Sequence, residues 1–199
     1  CALPISFLIN PKSVEKLITK KTKAILVVHM YGGVCDMKTF EILSKKFKIP
    51  LVEDCAQCHR GLDFKGRYAG TIGIAGSWSF ENSKQLTSGD GGIVLTNNEN
   101  LATKIRKIGG LGFKTLSAES GKVRTDRDLL QNPDWERFDA IGFNFRMNQL
   151  AAAVALAQTE KQDYYVNLRV LSGENYLQSI SNSKLLEADR KSTRLNSSH

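Results

Sequence analysis

No apolar run in the chain comes near the roughly 20 residues that span a bilayer, so a membrane-crossing role is not expected. Histidine is scarce: besides His59 there are only His29 and His199. With no second C-x-x-C pair and no paired histidines, Cys55, Cys58 and His59 lack the partners of a structural zinc site. Proline is equally sparse. Only Pro133 follows the Cys55/Cys58 pair, which argues against a thiol redox site with a later cis-proline. The four cysteines, Cys1, Cys35, Cys55 and Cys58, show no framework spacing, and no segment has the charged, apolar and small-residue regions of a secretory signal. A reducing cytoplasm is the expected compartment. Internal repeats and low-complexity linkers are also missing, so the 199 residues read as one α/β domain or a large piece of a bigger protein.

What is present begins with positive charge. The formal net charge is +8, but Arg190, Lys191 and Arg194 lie in the last ten residues and leave +5 when set aside. The remaining Lys and Arg alternate with acids along helix-like stretches such as PKSVEKLITKKTK, which reads as a solvated face and not as a nucleic-acid surface. The segment CAQCH fits the C-x-x-C-H pattern of covalent haem attachment. Its setting argues otherwise: the pattern ends an apolar run in an α/β context, in a chain with no export signal.

The order of elements follows from periodicity. Asn10 and Pro11 are a capping side chain and a ring preset to helical φ, so they predict a helix with Val14, Leu17 and Ile18 on its apolar side. KAILVVHMYGG is a continuous apolar run ended by glycines, which predicts a strand covered on both faces. Asp36 is placed to cap a helix over MKTFEILSKKF, with Met37, Phe40, Ile42, Leu43 and Phe47 facing inward. IPLVED predicts the next strand and completes a βαβ unit, with Asp54 at its carboxyl end. AGSWSF and GGIVLT are two more strands, and ENLATKIRKI is a helix with Leu101, Ile105 and Ile108 on one side. The stretch from Gly109 to about Asn144 has no period, and a loop of that length is usually functional. Two helices follow, one with Leu150, Val154 and Ala157 on a stripe, and one over NLRVLSGENYLQSI broken at Gly173.

Chemistry is carried by a combination. Lys84 stands alone in the polar loop SFENSKQLTSGDGG, where a desolvated amine can attack an aldehyde. A lysine that condenses with pyridoxal phosphate needs an acid facing the pyridine nitrogen and donors around the phosphate. Asp54 at one strand end and Lys84 just past another can meet at the carboxyl edge of one sheet. Ser79 and the glycines of SGDGG offer a hydroxyl and backbone amides nearby.

These residues carry a family resemblance. VHMYG, VEDCAQCHRG, GSWSFENSKQLTSGDGGIVLTN and GFNFRMNQLAAAVALAQ, in that order, resemble the DegT/DnrJ/StrS sugar aminotransferases, fold-type-I enzymes dependent on pyridoxal 5'-phosphate. The resemblance implies a three-layer α/β fold, a mostly parallel mixed sheet with helices on both faces, here truncated. It also implies transfer of an amino group from glutamate or glutamine to a nucleotide-linked keto-sugar or a keto-cyclitol. Lys84 then corresponds to the cofactor-bound lysine that shuttles protons, and Asp54 to the acid on the pyridine nitrogen. Gln57 resembles the side chain near the ring and its phenolic oxygen, and Ser79 the phosphate-binding hydroxyl. Asn144 resembles the asparagine that reaches the phosphate in the neighbouring subunit, which implies a homodimer with shared sites. The wording of EDCAQCH and ENSKQLTSGDGG is nearest to the glutamine-dependent cyclitol branch. A sugar dehydratase of the same family competes with this reading, although such relatives replace the lysine. Outside these two enzymes stand a non-catalytic cofactor-binding relative and a c-type electron carrier.

The resemblance also divides the chain. Residues 1–6 and 189–199 are expected to be non-native read-through, since the start CALPIS lacks Met and the tail RKSTRLNSSH has no pattern. Residues 7–168 correspond to the cofactor-binding large domain without its N-terminal part, and 169–188 to the start of a small domain.

Overall fold

The computed structural model describes residues 7–121, 126–181 and 183. The expectations for residues 1–6 and 189–199 lie outside the described residues. The chain divides into two compact units, one comprising Cys1–Val94 with Gln149–His199, the other Leu95–Asn148.

The first unit is built on a four-stranded sheet in the order β1 (Ile25–Val28), β2 (Leu51–Asp54), β3 (Ala75–Ser79) and β4 (Gly92–Leu95). The β1–β2 and β2–β3 pairs are parallel, as the βαβ reading requires. Helix α1 (Pro11–Leu17) starts where expected, with Asn10 Oδ1 accepting from the Lys12 amide at 3.0 Å. Helix α2 (Met37–Phe47) connects β1 to β2, and Asp36 caps it by accepting from the Thr39 amide at 3.1 Å.

Met37 and Phe40 are fully buried from α2 against Ile25, Val27 and Leu51 of the sheet. Each such side chain contributes about 1.5–3 kcal/mol of transfer free energy. Ile42 departs from its expected inward position and is 55% exposed. It falls between the buried turns at Phe40 and Leu43, where the helix has already rotated away from the sheet.

The register decides what each strand residue meets. Ile25 lies beside Leu51 and Val27 beside Glu53, all four buried, whereas Leu26 beside Val52 and Val28 beside Asp54 are not. The expectation that β1 is covered on both faces is therefore corrected: Leu26 is 54% exposed. An unbroken apolar run shows that both faces tolerate burial, but a cover is needed for burial to occur. In β4, likewise, Ile93, Val94 and Leu95 are all exposed.

Helices α5 (Gln149–Glu160) and α6 (Gln162–Ser181) close this unit. Two expectations fail here. Ala155 is the buried residue of α5, while Leu150 and Val154 of the expected stripe are exposed. Nor is α6 broken at Gly173, because one glycine costs only about 1 kcal/mol against alanine in a helix.

The second unit contains α3 (Glu99–Gly109) and the short α4 (Arg127–Gln131). Asn98 caps α3 through the Leu101 amide at 2.9 Å. Leu101 and Ile105 are half-buried, but Ile108, expected to share their inward side, is exposed. The stretch after α3 is not featureless: isolated bridges pair Gly110 with Asn144 and Phe113 with Phe138. Among the described residues, no helix is long and apolar enough to cross a membrane.

Candidate active site

Because β1, β2 and β3 run in one direction, their carboxyl ends share an edge, and the expected site residues of the first unit fall there. Asp54 is the last residue of β2 and pairs in register with Ser77. Its Oδ1 accepts from the Ala56 amide at 2.9 Å, which turns the chain sharply out of the strand. Gln57 stands in that turn and accepts from the Tyr31 amide through Oε1 at 3.3 Å. Tyr31 follows β1 with φ of 53°, in the left-handed region that non-glycine residues rarely occupy. Sequence reasoning assigns Tyr31 no role, although the VHMYG motif contains it.

Ser79 ends β3, and its Oγ accepts from the Glu81 amide at 3.2 Å. The loop beyond it folds back on itself. The Phe80 amide donates to Gly91 at 2.8 Å, and the Phe80 carbonyl accepts from the Ser88 amide at 2.9 Å and from Thr87 Oγ1 at 3.1 Å. Lys84 is held in this loop by its backbone, donating to the Glu81 carbonyl at 3.1 Å and accepting from Arg169 at 3.4 Å. The residue is half-buried, and its side-chain amine makes no hydrogen bond or ion pair among the described residues. Asp54, Gln57, Ser79 and Lys84 thus belong to the carboxyl edge of one unit. Asn144 belongs to the other unit, where it is exposed and accepts from Arg146 Nε at 3.0 Å.

The cysteines of CAQCH face away from chemistry. Cys55 and Cys58 are fully buried and pack with Ala69, Val34 and Trp78. Gly70 sits here with φ of 87°, and a Cβ on it would run into the Trp78 ring and the Cys55 sulfur. Burial pushes the Cys58 thiol up to about 11 and the Cys35 thiol up to about 12, and moves Cys55 in the same direction. Thiolates are the reactive form. Native chain treated with iodoacetamide near pH ~8 is therefore expected to leave Cys35, Cys55 and Cys58 unmodified, and unfolded chain to be alkylated at all three. Rapid native labelling of Cys55 or Cys58 in the peptide map would contradict the packing.

Sequence reasoning missed one buried ionic network. Glu53 is fully buried and accepts from His29 Nε2 at 3.1 Å and from the amides of Gly70 at 2.7 Å, Ile72 at 2.7 Å and Gly73 at 2.6 Å. Burial pushes its carboxyl upward, but the His29 bond and these amides outweigh that and hold it below the usual range. His29 Nδ1 accepts from the Cys35 amide at 3.2 Å, so Nε2 carries the hydrogen donated to Glu53. His29, Glu53 and Cys55 cluster closely enough to hold a metal ion. Both ring nitrogens and both carboxylate oxygens already have partners, so the group is a fastener tying β1, β2 and the 70–73 loop. An acid in an apolar strand, beside a strand that ends in histidine, was the available signal.

This arrangement is an α/β fold with a free lysine amine past one strand end and an acid at the next. Solved structures that share this fold include aminotransferases and the GDP-4-keto-6-deoxymannose-3-dehydratase ColD. The structure of an aminotransferase from Psychrobacter cryohalolentis superposes with a TM-score of 0.77 at 30% identity, over 90% of this chain and 44% of that one. The sequence pattern of the DegT/DnrJ/EryC1/StrS aminotransferase family matches residues 3–199, and the chain belongs to that family. GDP-perosamine synthase of Escherichia coli O157:H7 is 34% identical over 84% of this chain and 41% of its own length. L-glutamine:2-deoxy-scyllo-inosose aminotransferase of Streptoalloteichus tenebrarius is 32% identical over 86% of this chain and 38% of its own. The chain thus spans about two-fifths of these relatives' length.

Proposed function

We propose that the chain is the cofactor-binding part of an aminotransferase that moves an amino group from glutamate or glutamine to a nucleotide-linked keto-sugar or a keto-cyclitol. The observation that carries this reading is the Lys84 amine, half-buried and unpartnered among the described residues, at the strand edge where Asp54 also ends. The activities of the relatives, a perosamine synthase and an inosose aminotransferase, support the substrate class.

The residues present fit pyridoxal 5'-phosphate, which when bound supplies an aldehyde for the amine and a ring that accepts electrons. Lys84 Nζ is the group that would bond the cofactor and serve as the base that moves a proton at the reacting carbon. The Asp54 carboxylate would hold a proton on the ring nitrogen, Gln57 would serve the ring, and Ser79 Oγ would hold the phosphate. Residues 7–168 form the large domain and 169–188 begin a small one. On this reading the enzyme is a cytoplasmic homodimer in which Asn144 would hold the phosphate of the neighbouring subunit's cofactor, and the loop from Gly109 to Arg146 contributes to substrate choice. Retention of the lysine favours amine transfer over dehydration.

Incubation with pyridoxal 5'-phosphate, reduction with borohydride and peptide mapping test the assignment. Label is expected on Lys84; label confined to another lysine would overturn it.

A further inference from the structure

The imidazole of His59 is buried at 8% exposure beside the site, and the mechanism above does not use it. Its Nε2 lies 3.0 Å from the Ser79 carbonyl oxygen, an acceptor only, so Nε2 carries the hydrogen and donates. The other ring nitrogen, Nδ1, is buried and has no hydrogen-bond partner among the described residues. The His59 backbone reaches two further places: its amide donates to Gln85 Oε1 at 3.0 Å, and its carbonyl accepts from Gln162 Nε2 of α6 at 3.2 Å. Residue 59 therefore bonds to the last residue of β3, to the neighbour of Lys84 and to α6, and itself stands two residues past Gln57. The Phe80 ring lies beside the imidazole, with centroids 6.2 Å apart.

We propose that His59 is a positioning residue that fixes the spacing between the Asp54–Gln57 turn and the Ser79–Lys84 segment, acting through its Nε2–H bond to the Ser79 carbonyl. This deepens the reading of Lys84 and Asp54 as cofactor groups and rests on it. Asp54 and Lys84 leave different strands, and the turn and the loop have no other side-chain bond from one to the strand end of the other among the described residues. A small error in that spacing costs a two-point site much of its function. The bond needs the tautomer with hydrogen on Nε2. Burial, helped by the charges of Arg169 of α6 and Lys84 of the loop, holds the imidazole below its usual range against the opposing pull of the Ser79 carbonyl and the Gln85 side chain.

His59→Phe removes the donor and keeps a ring; His59→Gln removes the ring and returns an N–H near the position of Nε2. Hydrogen exchange on the full chain without cofactor reads the positioning directly. In His59→Phe, amides of residues 79–88 are expected to exchange roughly tenfold faster, as loss of one buried bond implies, with α2 unchanged and His59→Gln close to wild type. Cofactor titration by absorbance then reads the consequence, with affinity lowered about tenfold in His59→Phe and restored in His59→Gln. Equal exchange in all three proteins, or a His59→Gln variant as impaired as His59→Phe, would overturn the proposal. Failure of borohydride to fix cofactor in wild-type chain would instead refute the assignment of Lys84, and the exchange comparison would still decide the role of His59.

Discussion

Lys84→Ala is expected to lower amine transfer by about 10⁴-fold, the upper end of what a positioned proton-transferring group supplies. On the proposed reading the loss would combine two things, the amine that would bond the cofactor and the base that would move the proton at the reacting carbon. Lys84→Arg separates amine from charge. A guanidinium keeps the positive charge but does not deprotonate, so it is expected to be as inactive as alanine. Neither change should disturb folding, because the side chain is half-buried and its ammonium holds nothing else in place among the described residues. Amine transfer from glutamate or glutamine to a keto-sugar, measured beside a thermal unfolding curve, checks both. Activity within tenfold of wild type in Lys84→Ala would remove the lysine from the chemistry.

Glu53→Gln is expected to cost the fold about 3–5 kcal/mol, the usual loss when one member of a buried ionic network is replaced. The carboxylate accepts from His29 and three backbone amides, and the glutamine N–H₂ would set donors against donors on one side of that network. For a chain of this size the unfolding midpoint should fall by roughly 6–20 °C. The sign with pH follows from the lowered carboxyl of Glu53. Its contribution is complete above the ordinary carboxylate pKa and is lost as pH falls through the lowered folded value. The gap between wild type and Glu53→Gln should therefore narrow in acid. A midpoint shift under about 2 °C at neutral pH would show that the amides find other partners.

Local chemistry was legible in the sequence. Asn10 and Asp36 were readable as caps because a short polar side chain before an apolar period has one common use, and each accepts the expected backbone amide. Asp54, at the end of a short strand, was readable for a similar reason: parallel strands collect polar groups at their carboxyl edge. What sequence could not supply was the cover. Periodicity marked Leu26, Ile42, Leu150 and Val154 as apolar, but burial depends on a neighbour that the pattern of one element does not contain. The Glu53 fastener was hidden for another reason. Its four donors come from the end of β1 and from the 70–73 loop, brought together only by tertiary folding.

Glu53 and Asp54 are adjacent acids on opposite sides of one strand, the first closed in with His29 and the second at the open edge. This makes the pairing of β2 self-checking. A slip of one residue would turn each carboxylate to the opposite face of the sheet, taking Glu53 away from His29 and the three amides. The wrong register would therefore be penalised through stability, whatever role Asp54 plays at the edge.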